Sequence, residues 1–489
     1  MPDIDIILVK PGSQKQVYGE LSAFELTAIE PPLIAALLAA FLREKGFSAA
    51  LLDAEAEGLG YAETARRIHD ANPRLAAVMV SGTNPSASTM NMDGAEAILR
   101  RLREISPETP SLLMGLHPSA LPERTTRETC ADFVCQGEGF YTLPPLIKAL
   151  KAGSDDRAIP GLWFRQDGRP VSPPPPEPFA DLDELPMPAW DLLPMRAYRA
   201  HNWHCFGHIR ERSPYAVVYT SLGCPFRCKF CCINTLYGTP GIRFRSPKLV
   251  VYEIEYLVRE HGVRNIKILD EMFALNEALV IDLCDRLIER RLDLNIWAYA
   301  RVNTVTERML PKLKAAGIHW LAYGFESASS RVLKDAAKGY ELDMVAKVVE
   351  KTYAHGIHIC ANYIFGLPED DYDSMHETLK AMLDINAEWA NIYSAMAYPG
   401  SKLFEEAAAK GLPLPKTWLG YSQYAADCLP LPTKYLSGGQ VLAFRDYAFN
   451  TYFRSPRYLS MIWAKFGQET ADYVAQMARH DLKRNHATY

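Results

Sequence analysis

The chain has 489 residues, more than one ordinary hydrophobic core accommodates, so we expect two or three domains. Hydrophobic residues make up 48% and charged residues 23%, which excludes a disordered or fibrous protein. The formal net charge is −5 at pH 7 and the sequence has no basic stripe, so we expect no nucleic-acid partner.

The start of the chain and its cysteines favour the cytoplasm. Asp3 and Asp5 stand where a secretory signal would carry positive charge. The longest apolar run, residues 31–42, is too short to cross a bilayer, so we expect no transmembrane segment. Ten cysteines in that compartment predict free thiols or metal ligands rather than a disulfide framework.

The first 150 residues alternate strand and helix patterns. The predicted strands are residues 4–9, 49–52, 76–80, 111–114 and 132–135. The predicted helices are 31–46, 92–105 and 141–150. Such units with short connections predict a doubly wound, Rossmann-like parallel sheet, which binds ligands beyond the carboxyl ends of its strands. We assign residues 1–152 to this α/β domain.

A linker follows the first domain. Residues 162–171 predict a small hairpin that turns at Asp167 and Gly168. Four consecutive prolines, residues 173–176, then begin a stiff extended stretch that continues to Pro194. We assign residues 153–211 to this hairpin and proline-rich linker.

The strand–helix alternation resumes at Tyr215. The predicted strands are residues 215–219, 265–269, 294–299, 319–323, 358–364 and 391–396. Six such units predict a partial, TIM-like (β/α)6 barrel over residues 212–435. Residues 436–489 predict a helical C-terminal segment.

A cluster of cysteines directly follows the first predicted barrel strand. Its members are Cys224, Cys228 and Cys231. Three thiolates on one loop can hold one side of an iron–sulfur cluster and leave one iron open to a substrate. A structural zinc site is the alternative, but it normally has four ligands. Cys232, His204 or His208 would have to provide the fourth, and adjacent side chains such as Cys231 and Cys232 diverge.

The spacing Cys224-x3-Cys228-x2-Cys231, with Phe230 before the last cysteine, resembles the signature of radical S-adenosylmethionine (SAM) enzymes. The resemblance extends from residue 215 to about residue 401 and implies a [4Fe-4S] cluster with SAM bound to it. It also implies that groups at the carboxyl ends of the barrel strands contact SAM. These candidates are Asp270, Glu271, Arg301, Glu326 and Gly366. Each alone fits a helix cap or turn equally well, and their shared position favours a site.

The first domain resembles the cobalamin (vitamin B12)-binding domain that precedes the barrel in one branch of this family. The residues that the resemblance assigns to cobalamin are Ser81, Thr83, Asn84, Gly115, His117, Gly137, Glu138 and Gly139. Many such domains carry an Asp-x-His-x-x-Gly loop whose histidine ligates cobalt. The chain has no histidine between Lys10 and Ile68, so we expect cobalt to lack this lower ligand and His117 to be only a cofactor contact.

A nucleotide-binding or purely scaffolding sheet is the alternative for the first domain. A dinucleotide site requires Gly-x-Gly-x-x-Gly after the first strand. The loop here is Lys10-Pro11-Gly12-Ser13-Gln14, so the dinucleotide interpretation fails.

The resemblance implies a cobalamin-dependent radical SAM enzyme, expected to be a C-methyltransferase. In that chemistry a 5′-deoxyadenosyl radical takes hydrogen from an unactivated carbon, which then receives a methyl group from methylcobalamin. An external low-potential electron donor such as flavodoxin or ferredoxin is also implied. One alternative keeps both cofactors but ends in rearrangement, cyclisation or oxidation. Another alternative is a degenerate binding or regulatory protein without turnover. The complete set of cysteines and strand-end groups argues against it.

The organic substrate stays open among a lipid, a sugar, a peptide and a polyketide. Four residues before the barrel are candidates to line an entrance between the domains, although a packed linker explains them at least as well. They are Trp203, His204, Phe206 and His208. Similar candidates after the barrel are Ser422, Gln423 and Tyr424.

Overall fold

The structure is a computed structural model that describes residues 2–12, 14–24, 26–82 and 87–488. Within these ranges no helix is both long enough and apolar enough to cross a membrane.

The first domain contains one sheet that is mostly parallel. Its strands are Ile6–Lys10 (β1), Ala49–Asp53 (β2), Ala76–Val80 (β3), Ser111–Gly115 (β4), Phe133–Cys135 (β5), Leu162–Gln166 (β6) and Arg169–Val171 (β7). They form a seven-stranded sheet in the order β2-β1-β3-β4-β5-β6-β7. Strands β1 to β5 run parallel, which confirms the predicted doubly wound sheet. The predicted hairpin pairs antiparallel with β5, so it belongs to this sheet rather than to the linker.

Helices cover both faces of this sheet. They are Gln14–Tyr18 (α1), Leu33–Glu44 (α2), Tyr61–Asp70 (α3), Met92–Ile105 (α4), Leu116–Ala120 (α5), Pro122–Glu128 (α6) and Leu143–Ala152 (α7). Helix α2 is apolar around most of its circumference and nine of its residues are buried. A helix that is hydrophobic all round must be covered on all sides. Its residues share one continuous core with the linker and the barrel, so α2 lies between the two domains.

The second domain contains a parallel sheet and a short hairpin. Its strands are Tyr215–Val218 (β8), Ser221–Leu222 (β9), Arg243–Phe244 (β10), Asn265–Ile268 (β11), Asn295–Ala300 (β12), Ile318–Glu326 (β13), His358–Phe365 (β14) and Trp389–Ser394 (β15). Six of them form a sheet in the order β8-β11-β12-β13-β14-β15, and every neighbouring pair is parallel. In the described chain β15 does not pair with β8, so the barrel is partial, as predicted.

Helices surround this barrel and cap its C-terminal side. They are Asn234–Tyr237 (α8), Pro247–His261 (α9), Glu277–Arg290 (α10), Met309–Ala315 (α11), Ser330–Asp335 (α12), Asp343–Ala354 (α13), Tyr372–Ile385 (α14), Lys402–Ala409 (α15), Gly438–Phe453 (α16), Pro456–Phe466 (α17) and Gln468–Met477 (α18). The last three form the helical C-terminal segment that the sequence predicts.

The open side of the barrel, between β8 and β15, is closed by the segment that precedes α2. Glu30 accepts hydrogen bonds from the Tyr215 hydroxyl at 3.2 Å and from Lys267 Nζ at 2.9 Å, both on barrel strands. The Ser422 hydroxyl donates to the carbonyl of Val17, and the ring of Tyr18 stacks on Tyr424. The first domain therefore provides part of the barrel wall.

Candidate functional site

One cavity of about 760 Å³ lies between the two sheets. The first domain lines it with Ser81 after β3, Gly115 at the end of β4 and Gly137 after β5. The barrel lines it with residues at the carboxyl ends of β11 to β15, including Glu271 and Arg301. The ligand-binding edges of both sheets therefore face one shared space.

The three cysteines of the predicted cluster site all line this cavity. Their loop is compact because the amide of Cys231 donates to the carbonyl of Cys228 at 3.1 Å, and that of Gly241 donates to the carbonyl of Cys224 at 3.2 Å. Gly223 precedes the first cysteine with φ +96°, and a Cβ there would lie 2.5 Å from the Gly241 carbonyl oxygen. A glycine is therefore required where the chain enters the loop.

The electrostatics of the loop depend on burial and on Arg301. Burial raises the pKa of the Cys231 thiol to about 12 and also raises the pKa of Cys224. Arg301 Nη1 donates to Cys228 Sγ at 3.4 Å and so places a positive charge beside this sulfur.

The residues proposed for a zinc site are not assembled around the loop. Cys232 is buried outside the cavity lining, and His204 Nε2 contacts the carbonyl of Asn295 at 2.9 Å. His208 is exposed, with 77% of its side chain accessible.

The two acidic residues after β11 have different environments. Glu271 lines the cavity, where its carboxylate accepts from the Gly223 amide at 3.1 Å and from the Tyr237 hydroxyl at 3.2 Å. Burial raises the pKa of Glu271 to about 7. Asp270 is not in the lining and accepts instead from the amide and hydroxyl of Thr220 and from the Ser221 hydroxyl. These hydrogen bonds fix the end of the strand before the cysteine loop, and a contact between Asp270 and SAM stays a prediction.

Arg301 and Glu326 line the cavity, as predicted, together with Lys338. Lys338 Nζ donates to Glu326 Oε1 at 2.5 Å, and Arg301 Nη2 donates to the Lys338 carbonyl. Glu326 has φ +61°, a conformation unusual for a residue with a side chain. Sequence reasoning missed Lys338 because it lies between α12 and α13, away from any strand end.

Gly366 does not line the cavity. It has φ +84°, and a Cβ there would lie 2.2 Å from Val441 Cγ1 on α16. This glycine allows the C-terminal helix to pack against the end of β14, and its contact with SAM stays a prediction.

Four of the residues assigned to cobalamin line the cavity: Ser81, Gly115, Gly137 and Glu138. Gly115 has φ +116°, and a Cβ there would lie 2.3 Å from the Val80 carbonyl oxygen, so only glycine fits. Glu138 accepts two hydrogen bonds from Arg243 on β10, at 2.8 and 2.9 Å, and thereby joins the two domains.

Two other assigned residues do not reach the cavity lining. The Nδ1 atom of His117 lies 3.1 Å from the Thr89 hydroxyl, and burial lowers the pKa of this histidine to about 4. Gly139 packs against Met114, where a Cβ would lie 2.8 Å from Met114 Cε. Both residues pack inside the first domain, and their contacts with cobalamin stay predictions. Thr83 and Asn84 lie outside the described residues.

Ser88 is a further candidate that sequence reasoning missed. Its buried hydroxyl lies in the cavity lining without a hydrogen-bond partner among the described residues. Such groups are usually satisfied, so a ligand atom is a natural partner here.

Residues from the linker and from the C-terminal side line the remainder of the cavity. Of the candidates before the barrel, Trp203 is in the lining, whereas His204 and Phe206 pack in the aromatic core around Trp297 and Trp320. Those after the barrel, Ser422, Gln423 and Tyr424, are all in the lining.

Comparisons with known proteins match both domains. The model of the B12 binding domain matches residues 23–147, and that of the Radical SAM superfamily matches residues 218–382. The uncharacterized methyltransferase PH0819 of Pyrococcus horikoshii is 30% identical over 463 residues, 94% of this chain and 94% of that protein. The anaerobic magnesium-protoporphyrin IX monomethyl ester cyclase of Rubrivivax gelatinosus is 27% identical over 394 residues, 79% of this chain and 68% of the cyclase.

A solved structure shares the fold over almost the full length. It is the radical SAM methyltransferase TsrM from Kitasatospora setae with cobalamin and a [4Fe-4S] cluster bound. The TM-score is 0.69 at 17% sequence identity, and the match covers 97% of this chain and 98% of TsrM.

Proposed function

The chain belongs to the cobalamin-dependent radical SAM enzymes, and from that premise we propose that it is a C-methyltransferase acting on an unactivated carbon. One observation carries the proposal: the cysteine loop and the cobalamin-binding edge of the first sheet open into the same cavity. A substrate carbon held in that space lies between the cysteine loop and the cobalamin-binding edge of the first sheet. The full-length likeness to a protein named a methyltransferase supports methylation as the outcome.

The residues present fit an iron–sulfur cluster and SAM. Cys224, Cys228 and Cys231 would hold the cluster, and Arg301 donates a hydrogen bond to the sulfur of Cys228. Glu271 and the Glu326–Lys338 pair provide carboxylate and ammonium groups on the same part of the lining, suited to the charged methionyl group of SAM. When bound, the cluster supplies the electron that cleaves SAM, and cobalamin supplies the methyl group.

The chain's own residues orient and enclose the reactants. Asp270 fixes the backbone of Thr220 and Ser221, so the cysteine loop begins from a rigid strand end. Glu138 and Arg243 hold the cobalamin edge against β10, next to that loop.

Methyl transfer is tested with reconstituted enzyme, a strong reductant and SAM that carries a labelled methyl group. Candidate compounds from the lipid, sugar, peptide and polyketide classes are supplied, and products are analysed by mass spectrometry. We expect 5′-deoxyadenosine to form together with a product that carries the label.

A product without the label, formed together with 5′-deoxyadenosine, contradicts methyl transfer. It supports the second candidate, a cyclisation or oxidation with the same cofactors, which the 27% identity to a cyclase favours. Flavodoxin or ferredoxin is the proposed physiological electron donor, and either should replace the chemical reductant in the same assay.

We also propose that no histidine of the first domain ligates cobalt. The histidines in the cavity lining of the described chain are His201 and His480, and both lie outside that domain. His117 is buried and bonded to Thr89. Replacing His117 by glutamine is therefore expected to leave the electron paramagnetic resonance spectrum of bound cob(II)alamin unchanged. Nitrogen hyperfine splitting that disappears in this variant would contradict the proposal.

A further inference from the structure

Arg445 on α16 presents a buried guanidinium to the cavity from the C-terminal side. The residue is 2% exposed and belongs to the cavity lining. It lies on the C-terminal side of that lining, next to Tyr424. Nothing in the cofactor sites described above accounts for a cation there.

The hydrogen bonds of Arg445 leave one edge of its guanidinium without an acceptor. Its Nε donates to the Ile392 carbonyl at 2.8 Å, and its Nη1 donates to Asp446 Oδ1 at 2.7 Å. No residue in the described ranges accepts from Nη2. A guanidinium carries five N–H donors, so a ligand in the cavity can accept from those that the protein leaves free.

The positive charge around Arg445 is only partly compensated by the acidic residues that the structure describes. Arg484 donates to the same carboxylate of Asp446, at 2.8 Å from Nε and 3.0 Å from Nη2. Two buried guanidinium groups therefore share one carboxylate. Asp481, the next acid in the lining, is paired with Arg454 at 2.8 Å. Among the described residues one positive charge therefore remains in excess, and a buried charge favours a bound anion.

Aromatic rings restrict how a ligand approaches this cation. The guanidinium carbon lies 5.7 Å from the ring centre of Tyr424 and 5.4 Å from that of Phe449. These contacts hold the planar group in place and leave its edge for ligand contact. Planar carboxylates and tetrahedral phosphates match that edge.

We propose that Arg445 anchors an anionic oxygen group of the substrate, a carboxylate or a phosphate. The inference rests on the proposed function, because it concerns the compound that enters the same cavity. The anionic end of the substrate then lies against the C-terminal helices, with the reacting carbon directed toward the cysteine loop. The nucleotide phosphate of cobalamin offers the same chemistry, so the experiment has to distinguish these two sources.

The test measures anion binding to enzyme that carries the iron–sulfur cluster and a corrinoid. One preparation contains hydroxocobalamin, and the other contains cobinamide, which lacks the nucleotide phosphate. Inorganic phosphate and benzoate are titrated calorimetrically into the original protein and into Arg445→Gln, Arg445→Lys and Arg479→Gln. Arg479 is exposed and outside the cavity lining, so its replacement removes the same charge as a control.

We expect Arg445→Gln to weaken binding of at least one probe by about ten- to a hundredfold, as expected for a lost charged hydrogen bond. Arg445→Lys should be intermediate, and Arg479→Gln should bind as the original protein does. Binding should not depend on the corrinoid, and iron and cobalt contents should be unchanged.

Equal binding by Arg445→Gln and the original protein overturns the proposal. So does phosphate binding confined to the cobinamide preparation, because the site then belongs to the cofactor. If Arg445→Gln does not fold, the Arg445→Lys variant decides by the same criterion. The readout is independent of methyl transfer, so the anchor and the proposed function can fail separately.

Discussion

Replacing Cys228 by alanine is expected to abolish SAM cleavage while leaving cobalamin bound. Cys228 is the middle residue of the three-cysteine loop, and its sulfur receives the Arg301 hydrogen bond. Loss of a residue that supports a metal ligand lowers metal affinity or activity by about 10–100-fold, and loss of the ligand itself should lower them further. The measurement is 5′-deoxyadenosine formation, together with iron and cobalt analysis of the same sample.

Cys232→Ala is the matched control for this experiment. Cys232 is buried near the same loop but is absent from the cavity lining. We expect it to retain iron and to cleave SAM like the original protein. Full SAM cleavage by Cys228→Ala, or loss of iron in both variants, would contradict the assignment of the three ligands.

Replacing Lys267 by methionine is expected to lower the free energy of unfolding by about 3–5 kcal/mol. Lys267 is completely buried and donates to both carboxylate oxygens of Glu30, at 2.9 and 3.1 Å. Its ammonium group also lies 5.1 Å from the ring centre of Trp297. Removal of the lysine leaves the Glu30 carboxylate in the barrel without its main counter-charge. The midpoint of urea unfolding measures the loss.

The double variant Glu30→Gln/Lys267→Met tests the cause of this loss. A neutral amide in place of the carboxylate removes the uncompensated charge, so the double variant should be more stable than Lys267→Met alone. Equal midpoints for the single and double variants would show that packing, rather than charge, determines the effect.

The order of elements and the proposed cluster ligands follow from local patterns. Strand β3 and helix α4 have the predicted bounds of 76–80 and 92–105, because apolar periodicity is strong in both segments. The cysteine loop follows β8, as predicted, since short spacing along the chain guarantees proximity in space.

The direction of individual side chains could not be predicted in the same way. Asp270 and Glu271 both follow β11, yet only Glu271 reaches the cavity, because Asp270 bonds Thr220 and Ser221 instead. A glycine at a strand end allows either a cavity wall or a closely packed helix beside it. Gly115 lines the cavity, whereas Gly366 packs against helix α16.

Contacts between distant segments were also beyond the sequence patterns. Glu30 enters the barrel, and Arg445 reaches the cavity from α16, only because of how the domains and the C-terminal helices pack. Hydrophobic periodicity predicts which face of a helix is buried, but not which polar group on that face meets a ligand.

Anaerobic reconstitution with iron, sulfide and hydroxocobalamin, followed by metal analysis, tests the central claim most directly. We predict about four irons per chain together with stoichiometric cobalt. Iron without cobalt would contradict the role of the first domain, and zinc in place of iron would contradict the assignment of the cysteine loop.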